Sequence, residues 1–223
     1  MRDPDYDEFR QSRAVPEKMK GVKTPMLTVG GWFDAEDLYG ALNIHAFAEK
    51  QNPQTPTYLV MGPWAHGQWA GEGKNLGPAQ FGSDTSAWYR KNVEIPFWLH
   101  HLAGGPRPQL RKATVFETGR NRWHGFDTWP PKAAKPFVTG LEGDSLLLGQ
   151  KSSQKSSQVK ILADPASPVP YQKQPQTDRT ATFMVDDQRF LAGRKDVASW
   201  ESNALTEPVT LAGPLTAHLK AAT

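Results

Sequence analysis

The chain of 223 residues contains no cysteine. Disulfides, thiolate catalysis and cysteine-ligated zinc are excluded, while the compartment stays open, since many periplasmic proteins also lack the residue. No apolar run approaches the roughly 18 residues that a membrane span requires. The first residues, Met1-Arg2-Asp3-Pro4-Asp5-Tyr6-Asp7, are polar and acidic and lack the pattern of a secretory leader. Like charges form no block: the net charge is +3 and the basic residues are scattered, so neither a nucleic-acid face nor a membrane surface is indicated. No internal repeat of solenoid length is present. Nowhere does the chain read Gly-x-Ser-x-Gly, the elbow that presents a hydrolase nucleophile between a strand and a helix.

What is present is a soluble globular composition, with 38% hydrophobic and 22% charged residues and enough length to bury a core. The mean hydropathy of −0.60 leaves room for extra surface. Residues 1–20 read as a surface arm with a short helix around Tyr6–Arg13. Pro25-Met26-Leu27-Thr28-Val29-Gly30 reads as a buried strand, 36–50 as a helix with Ala41, Ile44, Phe47 and Ala48 on one face, and Thr57–Met61 as the next strand. Strand, helix and strand joined by short links form a βαβ unit, the building block of parallel sheets. After a Gly-rich loop over 63–83, a second helix is expected from Asp84 to Leu102, with Trp88, Ile95, Leu99 and Leu102 as its apolar stripe and Pro96 dividing or kinking it.

Ala103-Gly104-Gly105-Pro106 reads as a domain boundary. Beyond it helical periodicity stops. Residues 113–117, 122–126, 145–148, 159–162, 180–185 and 209–211 read as short strands at sandwich spacing. The polar repeat over 151–158 reads as a loop tip, and the proline-rich stretch 165–175 as an extended surface segment.

Two residues carry the chemistry. Asp34 follows the first strand in Gly30-Gly31-Trp32-Phe33-Asp34-Ala35-Glu36-Asp37, and His66 follows the second in Gly62-Pro63-Trp64-Ala65-His66. An acid followed by a histidine is the chain order that closes the α/β-hydrolase triad. Each residue also has a plainer explanation. Asp34 just ahead of a helix caps free N–H groups, and His66 is a loop histidine with ordinary hydrogen bonds. The pair is sharper than either member. Adjacent parallel strands lie about 5 Å apart, so residues leaving their carboxyl ends emerge side by side, where open α/β sheets place their sites. Glu36 and Asp37 complete an acidic trio with Asp34, which a helix start explains without a metal. His45, His100, His101, His124 and His218 have no ligand-like spacing. No nucleophile accompanies the pair: Ser12 alone precedes Asp34, without strand or glycines around it, and Ser83 and Ser86 come after both partners.

At these residues the chain resembles the hydrolase family of the α-amino-acid ester hydrolases, cocaine esterase, glutaryl-7-aminocephalosporanic acid acylase and the Xaa-Pro dipeptidyl-peptidases. The likeness covers Gly30–Ala41 and Tyr58–His66. It continues through Phe116–Gly119 with Asn121–Trp123, Asp164–Tyr171, Val185–Phe190 and Leu205–Pro208. It implies a fold in two parts. Residues 1–106 are the last strands and helices of an α/β-hydrolase domain, and 107–223 are an all-β jelly-roll sandwich, the whole truncated at both ends. It implies Asp34 as triad acid and His66 as triad base, with no cofactor and no metal. In the family the serine elbow, the early strands, the helical cap and the acidic cluster that receives a substrate ammonium lie upstream of these segments.

The expected activity is that of a serine hydrolase cleaving ester or amide bonds of acyl or α-amino-acyl substrates through an acyl-enzyme. The substrate would be a small ester or amide or a short peptide, and the chain alone, without a nucleophile, would be inactive. Two parallel strands stripped of neighbours expose an edge and apolar faces, so a homo-oligomer or a complementing fragment is expected. A different reading takes the chain as a jelly-roll module binding carbohydrate or peptide, with Trp123 and Trp129 as its platform; it leaves the acid and histidine segments unexplained. A mis-started or clipped product without activity of its own is a third.

Overall fold

The computed structural model describes residues 5–153, 158–174, 177 and 180–220. The first four residues, the centre of the polar repeat and the end of the proline-rich stretch at 175 lie outside the described residues. The chain divides into two compact units, one of Met1–Trp129 with Thr180–Val185, the other of Pro130–Arg179 with Asp186–Thr223.

The first unit opens with a single helical turn, α1 (Glu8–Ser12), whose cap Asp7 accepts the Arg10 N–H. Strand β1 (Met26–Gly31) leads to helix α2 (Leu38–Gln51) and back to strand β2 (Thr57–Gly62). The strands pair in parallel from Met26 opposite Thr57 to Gly31 opposite Gly62. A two-residue ribbon comes next, β3 (Asn75–Leu76) against β4 (Ala79–Gln80), within the loop predicted over 63–83. Helix α3 (Thr85–Tyr89), a π-helical turn (Arg90–Glu94) and helix α4 (Ile95–Ala103) form one continuous rod. Strands β5 (Ala113–Glu117) and β6 (Arg122–Phe126) then complete a four-stranded sheet of order β1-β2-β5-β6, with β5 parallel to β2 and β6 antiparallel to β5.

Alternation along the central strand separates two cores. Leu59 and Met61 point to one face with Ala41, Ala113 and Val115, beneath α2. Val60 points to the other, with Trp64, Tyr89 and Val93 beneath the α3–α4 rod. Helix α2 lies close to the sheet because β1 has no side chain at Gly30, where a Cβ would come within 2.8 Å of Ala41 Cβ.

Two expectations are corrected. Strands 113–117 and 122–126 form, but in the sheet of β1 and β2, and the units divide after Trp129 rather than after residue 106. The Gly-Gly-Pro signal marks the end of a helix. Gly104 turns left-handed at φ 66°, and its N–H and that of Gly105 both reach Leu99 O. Which strands a segment joins is a long-range matter on which local punctuation is silent.

The apolar stripe is the second. Ile95, Leu99 and Leu102 face outward, the last 76% exposed, and the rod is anchored instead through Tyr89, Val93 and Phe97. The π turn inserts a residue just ahead of Pro96, which has no N–H to offer the normal ladder. One added residue rotates the remainder of the rod by about 100°, so a face traced at regular helical spacing misses the buried one.

The jelly-roll expectation falls on the second unit. In the second unit, β7 (Thr139–Glu142) and β8 (Ser145–Leu148) form a hairpin, extended by a bridge from Ser145 to Glu201. Among the described residues 159–162 and 209–211 join no ladder, and Phe183–Val185 is a 3-10 turn in the first unit. Strand propensity is expressed only against a partner; without one, Ile161, Leu162 and Leu211 stay extended and exposed.

Replacing Phe97 by Ala is expected to cost about 3–5 kcal/mol of stability. Leu102→Ala should stay within about 0.5 kcal/mol. Denaturant unfolding of both variants checks the orientation of the rod; equal costs would contradict it.

Candidate active site

The site is built where β1 and β2 stop being strands but continue to hold each other. Past the last paired glycines, Trp32 N–H donates to Gly62 O at 2.9 Å and Phe33 N–H to Trp64 O at 3.1 Å. The two loops thus leave the sheet stapled together. Gly31 permits this, because a Cβ there would sit 2.1 Å from Trp64 O. The Trp32 indole N–H anchors the first loop further by donating to Phe116 O at 2.9 Å. Asp34 directly follows Phe33, and His66 comes two residues after Trp64, both just past the second staple.

Asp34 is buried, and its two carboxylate oxygens have separate duties. Oδ1 accepts the backbone N–H of Glu36 at 2.7 Å and of Asp37 at 3.0 Å. Oδ2 lies 2.9 Å from His66 Nδ1. Asp34 thus bonds both the main chain that leads into α2 and the His66 ring. Burial works to raise the pKa of the carboxyl, but the two backbone donors and His66 outweigh it, and the net shift is downward. An ionised carboxylate only accepts, so the proton of a neutral imidazole sits on Nδ1 and the lone pair on Nε2. The His66 side chain is 52% exposed. Its pKa is raised, first by the hydrogen bond to Asp34, then by the charge of Asp34 and those of Glu36 and Asp37.

The sign of each shift sets a window. The contribution of Asp34 is present above its ordinary value of 3.8 and is lost as pH falls through its lowered folded pKa. That of His66 is complete below 6.5 and is lost as pH rises through its raised one. The charged pair exists between the two folded values. Nε2 becomes a base only above the upper one.

The turn carrying His66 is tied down by neighbours on both sides. Gln68 accepts the Ala65 N–H at 3.1 Å through Oε1 and donates through Nε2 to Asn75 O at 2.8 Å. The indole of Trp64 is fully buried and donates to Thr85 Oγ1 at 2.9 Å. The ring of Trp69 meets the imidazole edge-on at a centroid distance of 5.8 Å. Nothing in the spacing of Gln68 and Thr85 singles them out in the sequence, for their work is to hold main chain.

The remaining candidates are placed elsewhere. Ser12 and Ser86 donate their hydroxyls to Phe9 O and Gln68 O. Glu36 and Asp37 serve Asp34 through their amides. Among the described residues no three His, Asp or Glu side chains converge as metal ligands would. His45 is buried 3.4 Å from Glu49, His100 hydrogen-bonds Gly105 O, and His124 pairs with Glu117. Trp123 stacks on Trp88 at 4.5 Å and packs against Trp64 and Phe116, while Trp129 lies against Trp32 and Phe126. Both tryptophans are engaged in aromatic packing.

Residues 1–68, which include both members of the pair, match the X-Pro dipeptidyl-peptidase (S15) family. Cocaine esterase of Rhodococcus sp. (strain MB1 Bresler) is 28% identical over 97% of the chain. A solved α-amino acid ester hydrolase superposes over 93% of the chain with a TM-score of 0.85 and 33% identity. The chain is similar to the cocaine esterase and α-amino acid ester hydrolase family. The same fold recurs in an aminopeptidase from a marine sediment Thaumarchaeota archaeon, with a TM-score of 0.79 and 35% identity over 88% of the chain. Against these family members the chain spans 38% of the length of cocaine esterase, 36% of the ester hydrolase and 33% of the aminopeptidase. The relatives are named as an esterase, an ester hydrolase and an aminopeptidase.

His66 is expected to titrate above 6.5, and Asp34→Asn to bring that value down. Ring signals followed across pH by NMR report both. A His66 titration indifferent to Asp34→Asn would separate the two residues.

Proposed function

We propose that the chain supplies the acid and base of a serine-hydrolase site that cleaves ester or amide bonds of acyl or α-amino-acyl substrates. One observation carries this: a buried carboxylate holds His66 by Nδ1 and leaves Nε2 on the open side of the site. In that arrangement Nε2 takes the proton of a serine hydroxyl as its oxygen bonds to the substrate carbonyl. The imidazolium, stabilised by Asp34, then protonates the departing alcohol or amine as the acyl–serine ester is left behind. In the second half Nε2 takes a proton from water, whose oxygen attacks the ester. The acid is released and the proton returns to the serine.

In this reading the nucleophile is supplied by a further segment; of the serines weighed above, Ser12 and Ser86 donate their hydroxyls to main-chain carbonyls. Strand β1, which forms one margin of the sheet, offers the place for a further strand to add. The second unit fits the same reading as strands of a jelly-roll sandwich paired through further strands. Its hairpin and the exposed Ile161, Leu162 and Leu211 support this.

The chain alone is expected to resist labelling by a fluorophosphonate. Co-expressed with the elbow-bearing region of a family member, it should support labelling and ester hydrolysis, which His66→Ala lowers by at least about 10²-fold. Stoichiometric labelling of a serine in the isolated chain would overturn the assignment. We further expect self-association or a tight complex on size-exclusion chromatography; a strictly monomeric, well-behaved chain counts against the open margin of the sheet.

A further inference from the structure

We infer that Arg90 is a positioning residue for His66, acting through the turn that carries Trp69. The inference rests on the reading of His66 as a base and concerns what aims it.

The main-chain bonds of the His66 turn run within it. Gln68 N–H donates to Ala65 O, Ala70 N–H to Gly67 O and Gly71 N–H to Gln68 O, with Gly67 left-handed at φ 75°. These bonds fix the shape of the turn without fixing its place on the protein. Its place is set in large part from the α3 side. Ser86 Oγ donates to Gln68 O at 3.0 Å, and Thr85 Oγ1 to Gly73 O at 2.7 Å. Arg90 Nη1 donates to both Trp69 O and Gly71 O, each at 2.8 Å. Of these three side chains only Arg90 is charged, and hydrogen bonds from an ionised donor are roughly twice as strong as neutral ones. The two carbonyls stand at the end of a short 3-10 turn, where main-chain oxygens have no partner of their own.

The path from Arg90 to the base is short. Arg90 holds the main chain of Trp69, and the Trp69 ring rests against the imidazole. Without that tie the turn keeps the neutral bonds from Ser86, Thr85 and Gln68 but loses its charged anchor; Trp69 shifts against the ring, and the approach of His66 Nδ1 to Asp34 Oδ2 loosens. Arg90 itself touches no reacting atom in this scheme.

The sign of the effect separates positioning from plain charge. The groups that raise the His66 pKa are Asp34, Glu36 and Asp37. Removing a cation from the neighbourhood would, through space, raise it further. Removing a positioning residue weakens the bond to Asp34 and lowers it.

The test is ring NMR of His66 in the full chain for wild type, Arg90→Met and Arg90→Lys. With Arg90→Met the pKa should fall toward 6.5 and the Nδ1–H exchange faster, while Arg90→Lys, whose ammonium reaches the same carbonyls, restores most of both. Arg90→Gln, which keeps a neutral donor, serves if Arg90→Met does not fold, with a smaller fall expected. An unchanged or raised His66 pKa in a folded Arg90→Met or Arg90→Gln chain overturns the inference. Failure of the base reading shows separately, as an Asp34→Asn variant that leaves His66 unmoved.

Discussion

The site depends on two parallel strands that stay in register beyond their own ends. Ladder bonds between β1 and β2 stop at Gly31 and Gly62, yet main-chain bonds from Trp32 and Phe33 carry the pairing into the loops. Had the register slipped by one residue, every side chain of β2 would have changed faces. Leu59 and Met61 would then have left the core under α2, and Asp34 would meet a different residue of the second loop. Burial of the central strand on both faces therefore fixes the meeting of acid and base. Core packing and site geometry are consequences of one alignment.

Around that alignment the protein uses closeness more than bulk. A missing side chain at Gly31 lets the second loop cross the first, and another at Gly30 lets α2 lie low over the sheet. The aromatic residues then fill what remains: Trp64 at the centre, with Trp69, Tyr89 and Trp123 around it. Half of the eight tryptophans, Trp64, Trp69, Trp88 and Trp123, thus pack between the His66 loop, the α3–α4 rod and the sheet.

Much of the first unit is legible in the chain itself. The apolar runs before Gly30 and Gly62 and the helix between them give a parallel pair, and the acid and histidine just past those glycines are the residues that meet. The parts that are not legible are those decided at a distance. Segment 113–117 looks the same whether it opens a sandwich or joins a parallel sheet; the choice was made by β2, some fifty residues earlier. The outward turn of Ile95, Leu99 and Leu102 results from a π turn that leaves no mark in the pattern of residues. Arg90 looks like any helix-surface arginine until its carbonyl partners are seen. In the second unit strand-like runs are present, but a run becomes a strand only when another lies beside it.

The divided duty of the Asp34 carboxylate has a mechanical consequence. One oxygen is seated by the amides that lead into α2, and the other faces the imidazole. The plane of the carboxylate is therefore set by the helix entrance, and the direction of the ring by that plane. Loosening the first turn of the helix would tilt the ring like a lever about a shared pivot. Order at the helix entrance and the aim of the His66 ring are thereby coupled.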